Sequence, residues 1–177
     1  IGEKLSIRRF EKVTNENGVI ASFIHAGGKI GVLVNMDTTA SAETVEECGK
    51  NVCMQVAALK PQFTNRNEVS AEHIAHEKEI LLAQIMNDPK ESQKPAKVID
   101  GIVTGRINKE LKEICLLDQV YVKAEDGKQS VAKYVESVAK EIGAPITVKS
   151  FVRFETGEGM EKREDDFAAE VAKQAGM

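Results

Sequence analysis

The sequence of 177 residues contains no tryptophan and only two tyrosines, and acidic residues outnumber basic ones by 28 to 24. Proteins that bind nucleic acid usually concentrate positive charge, often with aromatic rings, on one surface. The composition therefore argues against a nucleic-acid partner. No apolar run approaches the roughly 20 residues needed to cross a bilayer, so we expect no membrane partner either.

Cysteine is also scarce. The three cysteines, Cys48, Cys53 and Cys115, form no Cys-x-x-Cys pair. An odd number in a chain of this length is typical of a reduced protein rather than of a disulfide framework, so we expect a cytoplasmic location. The sequence begins with Ile1 and no signal-like segment follows, which leads us to expect a piece of a longer protein.

Alternating apolar residues predict four β-strands. The predicted strands are Leu5 to Val13, Val19 to His25, Lys29 to Met36 and Ile146 to Glu155. In the last of them, apolar and polar residues alternate with a period of two, which indicates a strand with one buried face.

The most informative segment is the predicted hairpin around Gly27-Gly28. Two glycines between apolar, β-rich runs favour a tight turn, because glycine reaches positive φ angles without steric cost. This turn would present His25 at an exposed corner of the sheet. The segment offers that histidine no nucleophile, carboxylate or metal ligand, so a contact role is favoured over a chemical one.

The middle of the chain is predicted to be mostly helical. Ser41 and Ser70 are expected N-caps, a third helix begins near Pro95, and a fourth covers roughly residues 130 to 142. A short helix over roughly residues 165 to 174 closes the chain. The predicted fold is therefore α+β: an antiparallel β-sheet packed with helices and interrupted by an inserted antiparallel helical hairpin.

Two patterns have a chemical interpretation, but a structural interpretation is favoured for each. His73 and His76 are spaced to share a helix face, but zinc usually needs a third or fourth protein ligand, so a solvated helix surface is favoured. The glycines around Lys29 are followed by a strand, whereas a Walker-type phosphate loop is followed by a helix. We expect no catalytic residues, no metal site and no cofactor.

Several long strings resemble the elongation factor Ts family, and they occur in order along nearly the whole chain. They are Ile1-Gly2-Glu3, Ile7-Arg8-Arg9, His25 through Val34, Met54 through Ala58 with Lys60-Pro61, Gly105 through Lys109, Cys115 through Gln119, Phe151 through Glu155 with Gly157-Glu158-Gly159, and Phe167 through Ala172.

The resemblance implies a domain organisation. Residues 1–63 and 117–162 would form the second of two related core subdomains. Residues 64–116 would be an inserted helical hairpin associated with dimerisation, and residues 163–177 a C-terminal helical module.

The resemblance also implies a function: promoting GDP release from the GTPase elongation factor Tu by protein–protein contact, without covalent chemistry. Ile1 and Gly2 match an Ile-Gly pair that touches the GTPase, and His25 matches a hairpin histidine that packs against its nucleotide-binding domain. Phe167 lies in the matching C-terminal helix. The family's Thr-Asp-Phe-Val motif, which acts beside the GTPase's magnesium, does not occur here, so we expect weak exchange activity.

Two alternatives stay open. The chain can act chiefly as a self-association module, in which the stripe of Ile99, Val103, Ile107 and Ile114 either meets a second copy or packs inside its own hairpin. The other alternative, from a different class, is a metal-dependent hydrolase that uses His73 and His76.

Overall fold

The computed structural model describes residues 7–160. In chain order the elements are β1 (Gly18–His25), β2 (Ile30–Thr38), α1 (Ala42–Leu59), α2 (Ala71–Asn87), α3 (Ala96–Ile114), α4 (Val131–Ile142) and β3 (Ile146–Glu155). The three strands form one antiparallel sheet in the order β1-β2-β3. The predicted α+β fold is confirmed.

The predicted first strand is wrong for the part of it that the structure describes. Residues 7–13 have no strand pairing, and Phe10 is 84% exposed. Side chains hold this segment instead: Arg8 donates to the backbone oxygen of Gly159, and Asn15 donates to Asn35. The alternation of charged and apolar residues was therefore not the sign of a half-buried strand, because no backbone ladder accompanies it.

The starts of α1, α2 and α4 follow the sequence closely, whereas α3 begins after Pro95 without a side-chain cap. Ser41, Ser70 and Ser130 each accept a hydrogen bond from the backbone N–H three residues further on. Each serine satisfies one of the helix's unpaired N-terminal donors, as expected for an N-cap. At the other end of α1, Lys60 adopts a left-handed conformation with φ 48° before Pro61. The helix boundaries are thus set by local chemistry.

The main core lies between the inner face of the sheet and helices α1 and α4. Its buried residues are Val32, Val34, Met36, Val45, Cys48, Val52, Cys53, Val56, Ala57, Leu116, Tyr121, Val131, Val135, Ile146 and Val148. Apolar area removed from water stabilises a fold by about 25 cal/mol per Å², so the burial of this cluster stabilises the packing of the sheet against the helices.

A second, separate cluster joins α2 to α3. Its buried residues are Val69, Ile85, Ile99, Val103, Ile107, Leu111 and Cys115. His73, near the start of α2, lies beside Glu110, near the end of α3, so the two helices run antiparallel. The subdomain boundaries at residues 63 and 116 stay a prediction, which the existence of two clusters supports. The boundary at 162 and the predicted module of residues 163–177 lie outside the described residues.

The chain enters and leaves the α2–α3 pair at one place. Phe63 donates its backbone N–H to the carbonyl of Ile114 at 3.1 Å, and its own carbonyl accepts from Leu116 at 2.8 Å. The two crossing segments are therefore tied together by backbone hydrogen bonds as a short parallel bridge.

Beside this crossing, two buried glutamines link the helices to the following loop. Gln55 Nε2 donates to Gln119 Oε1 at 3.1 Å and to the Val120 carbonyl at 3.0 Å, while its Oε1 accepts from Val122 N at 2.8 Å. Gln119 Nε2 donates to the Glu113 carbonyl at 2.7 Å. These bonds satisfy backbone groups that would otherwise be buried without partners.

Helix α1 comes very close to the sheet at Gly49. A Cβ added there would stand 2.5 Å from Ala21 Cβ and 2.9 Å from Met36 Cε. Ordinary carbon contacts are about 3.5–4.0 Å, so only glycine fits at this crossing.

All three cysteines are buried and unpaired. Burial raises the pKa of the Cys48 thiol to about 11 and that of Cys53 to about 12. Since the thiolate is the reactive and metal-binding form, these thiols act as small apolar core residues at neutral pH.

Among the described residues, no helix combines the length and apolar character that a bilayer crossing requires.

Candidate functional site

The site begins with the tip of the β1–β2 hairpin. Three successive residues after His25 have positive φ: Ala26 at 52°, Gly27 at 65° and Gly28 at 92°. The two glycines adopt this conformation freely, as the sequence predicted, whereas the positive φ of Ala26 was not foreseen. The tip is a short helical turn that reverses the chain between paired strands.

His25 is exposed at this tip. Its ring stacks on Phe23, with centroids 5.7 Å apart and planes inclined by 22°. Phe23 in turn packs against the main core. One face of the imidazole is therefore supported by the domain, and the rest of the ring is available to a partner. The sequence pattern did not predict Phe23 as the support, although its i, i+2 spacing from His25 in a strand was a usable signal.

The hairpin tip is tied to the end of β3. The backbone N–H of Thr156 donates to the Lys29 carbonyl at 2.8 Å, and the Thr156 hydroxyl donates to the same oxygen at 3.2 Å. Two bonds to one carbonyl fix the second arm of the hairpin to the neighbouring strand. The histidine thus projects from a braced corner rather than from a free loop.

Charged side chains around the end of β3 are paired with one another. Glu155 accepts from Arg153 at 2.8 Å and from Lys60 at 2.9 Å. The pKa of Glu155 is lowered, chiefly by the Arg153 hydrogen bond and then by that of Lys60. Because this pKa is depressed, the contacts form fully at neutral pH and are lost as the pH falls through the carboxyl's range.

The segment before β1 contributes two arginines, Arg8 and Arg9, to the same corner. Arg9 donates to Glu158 at 2.6 Å, which lowers the pKa of that carboxyl, and its guanidinium lies 4.5 Å from the centroid of the Phe154 ring. Exposed ion pairs contribute little stability individually. Their effect here is to order the chain beside the hairpin tip, a feature that the sequence pattern did not predict.

The other predicted contact residues fall into two groups. Ile1, Gly2 and Phe167 lie outside the described residues. Ile99, Val103 and Ile107 are buried in the cluster between α2 and α3, and Ile114 packs partly buried against it. Of the two arrangements that the sequence left open for this stripe, the structure has the one inside the hairpin.

The histidines of α2 do not behave as a pair. His76 is exposed, whereas His73 groups with Glu77 and Glu110. The three groups can each offer one ligand atom within 4.8 Å of the others, so a third candidate ligand exists that the sequence spacing did not reveal.

The sequence matches known proteins over nearly its full length. A family model described as Elongation factor TS matches residues 1–158. The chain is 53% identical over 174 residues to "Elongation factor Ts" of Clostridioides difficile (strain 630), covering 98% of this chain and 55% of the relative. It is 49% identical over 176 residues to "Elongation factor Ts" of Clostridium perfringens (strain ATCC 13124), covering 99% of this chain and 56% of the relative.

A third relative gives a similar result. "Elongation factor Ts" of Magnetococcus marinus (strain MC-1) is 46% identical over 173 residues, covering 98% of this chain and 55% of the relative. The chain therefore spans little more than half the length of the curated relatives it matches. With a family match over residues 1–158 and identities near 50%, this chain belongs to the elongation factor Ts family of translation factors.

Proposed function

We propose that the chain is the part of an elongation factor Ts that binds the GTPase elongation factor Tu through the His25 corner and promotes GDP release. Membership in the elongation factor Ts family supports the choice of elongation factor Tu as the partner. The observation that carries the choice of surface is the exposed His25 ring, stacked on Phe23 at the tip of a braced hairpin.

The physical basis of the proposed exchange is thermodynamic coupling. A factor that binds the nucleotide-free GTPase more tightly than the nucleotide-bound form weakens nucleotide binding, and nucleotide weakens the factor's binding by the same amount. The factor needs surface contacts that differ between the two states, and no covalent step. A rigid aromatic ring at a fixed corner suits this role, because little conformational entropy is lost when it docks.

The shape of the corner favours a protein partner over a small molecule. The His25 ring projects from the sheet, and the glycines of the tip have no neighbouring atoms within 4 Å of an added Cβ. A projecting surface of this kind enters a concavity on another molecule rather than enclosing a ligand of its own.

Replacing His25 by alanine is expected to weaken binding to nucleotide-free elongation factor Tu about tenfold, or about 1.4 kcal/mol, because the ring supplies the central contact. Interferometry with immobilised GTPase measures the change. His76→Ala is the matched control, since His76 is an exposed histidine on α2. Equal affinities for wild type and both variants would contradict the proposed surface.

Labelled-GDP release from elongation factor Tu tests the activity itself. We propose slow release by this chain compared with a full-length relative, because the Thr-Asp-Phe-Val motif is absent from its sequence. Release at the full-length rate would show that the motif is dispensable. No acceleration together with no binding would refute the proposed function.

Self-association is a second candidate function, favoured by apolar residues left exposed on the α2–α3 pair. Ile80, Leu82, Met86 and Val98 are each more than a third exposed. Because Ile99, Val103 and Ile107 are buried between the two helices, we propose that they shape the contact surface from beneath while the exposed residues touch the second copy.

Multi-angle light scattering over a range of concentrations tests this candidate. If self-association is the function, the mass rises toward twice the 19.4 kDa of one chain, and Met86→Glu restores the single-chain mass by placing a charge in the contact. A single-chain mass at every concentration would remove this candidate without affecting the proposed binding at His25.

A further inference from the structure

Three side chains of types that can bind metal ions lie together between α2 and α3, apart from the His25 corner. His73 and Glu77 are one turn apart on α2 and therefore share a helix face. Glu110 comes from the facing helix, and its Oε1 lies 3.5 Å from His73 Nε2. One ligand atom from each of the three residues lies within 4.8 Å of the other two.

His73 Nε2 is the unusual atom in this group. It is shielded from solvent and has no hydrogen-bond partner among residues 7–160. Buried polar atoms in native proteins are nearly always satisfied, so an exception needs an explanation. The imidazole also makes an edge contact with Phe63, with ring centroids 6.3 Å apart, while the His73 side chain as a whole is 35% exposed.

The chemistry of the three ligands selects a class of cation. One imidazole nitrogen and two carboxylates form a donor set typical of zinc, whereas Mg²⁺ and Ca²⁺ prefer oxygen ligands alone. Two carboxylate charges would also be balanced by one divalent ion. We propose that His73, Glu77 and Glu110 bind Zn²⁺, which links α2 to α3 across the hairpin.

The required movement is small. Zinc lies about 2.0–2.2 Å from nitrogen and oxygen ligands, so ligand atoms around one ion are roughly 3.5 Å apart. The present separations, which reach no more than 4.8 Å, close by rotation of the two glutamate side chains. The His73 ring, which contacts Phe63, would set the position of the ion, and a water molecule would complete a tetrahedral shell.

The competing explanation is a simple ion pair between a protonated His73 and Glu110. Both explanations predict that removing His73 affects the hairpin, so stability alone does not separate them. Only the zinc site predicts saturable metal binding. The three cysteines are buried and would not compete for the ion in the folded chain.

Isothermal titration calorimetry tests the proposal. The chain carries no polyhistidine tag, is treated with a chelator and is then titrated with ZnCl₂. We expect saturation at one ion per chain and a rise in Tm of several degrees, because an ion that binds the folded state stabilises it. His73→Gln and Glu110→Gln should each weaken zinc binding at least tenfold. His76→Gln is the matched control and should bind like wild type.

Circular dichroism establishes that each variant is folded, and Glu77→Gln replaces any variant that is not. Absence of saturable zinc binding in the wild-type chain would overturn the proposal. Unchanged binding in folded His73→Gln, or a loss in His76→Gln as large as that in His73→Gln, would overturn it as well.

Discussion

Gln55→Leu is expected to lower the free energy of unfolding by about 2–4 kcal/mol, although leucine nearly matches glutamine in size. The substitution removes both hydrogen bonds donated by Gln55 Nε2 and the one accepted by its Oε1. Each buried group left without a partner costs about 1–3 kcal/mol, partly offset by the apolar gain of leucine. Urea unfolding followed by circular dichroism measures the change.

The control for this substitution is Gln84→Leu on the exposed face of α2. Gln84 makes no side-chain hydrogen bond to another described residue, so its replacement should change the free energy of unfolding by less than about 0.5 kcal/mol. Equal effects of the two substitutions would mean that the buried glutamine network contributes no net stability.

Gly49→Ala should destabilise the chain by about 2 kcal/mol, whereas the same change at Gly105 should stabilise it by about 0.5–1 kcal/mol. Alanine is intrinsically the better helix former at both positions. At Gly49 the new methyl group would stand 2.5 Å from Ala21 Cβ, which is fixed directly to the backbone of β1. Helix α1 must therefore move away from the sheet, and overpacking of this kind costs about 1–3 kcal/mol.

Gly105 is the matched position because it is an interior helix glycine with nothing within 4 Å of an added Cβ. The pair of variants separates helix propensity from packing within one protein. Thermal and urea unfolding measure whether each substitution raises or lowers the free energy of unfolding. Stabilisation by Gly49→Ala would show that α1 is not packed tightly against β1.

The features that sequence predicted well are those decided by neighbouring residues. The hydroxyl groups of Ser41, Ser70 and Ser130 accept hydrogen bonds from backbone N–H groups only three residues away, so the positions of these serines indicate where the helices start. The turn at Gly27-Gly28 is equally local. Its prediction placed His25 at an exposed corner, where the structure also has it.

The features that sequence did not predict depend on residues far apart in the chain. Gln55 meets Gln119 through the packing of α1 against a loop 64 positions later. His73 meets Glu110 only because α2 and α3 fold back on each other, and the i, i+3 spacing pointed to His76 instead. The support of His25 by Phe23 is intermediate: it is local, but its value depends on how the core beneath it packs.

The crossing of the two chain segments at Phe63 and Ile114 has a consequence for the evolution of such a chain. The polypeptide enters and leaves this region through neighbouring residues that are hydrogen-bonded to each other. The segment between them can therefore become longer or shorter, or be replaced, while the two flanking positions stay the same. The two halves of the molecule are thus free to diverge at different rates, one constrained by the sheet and the other by its own pair of helices.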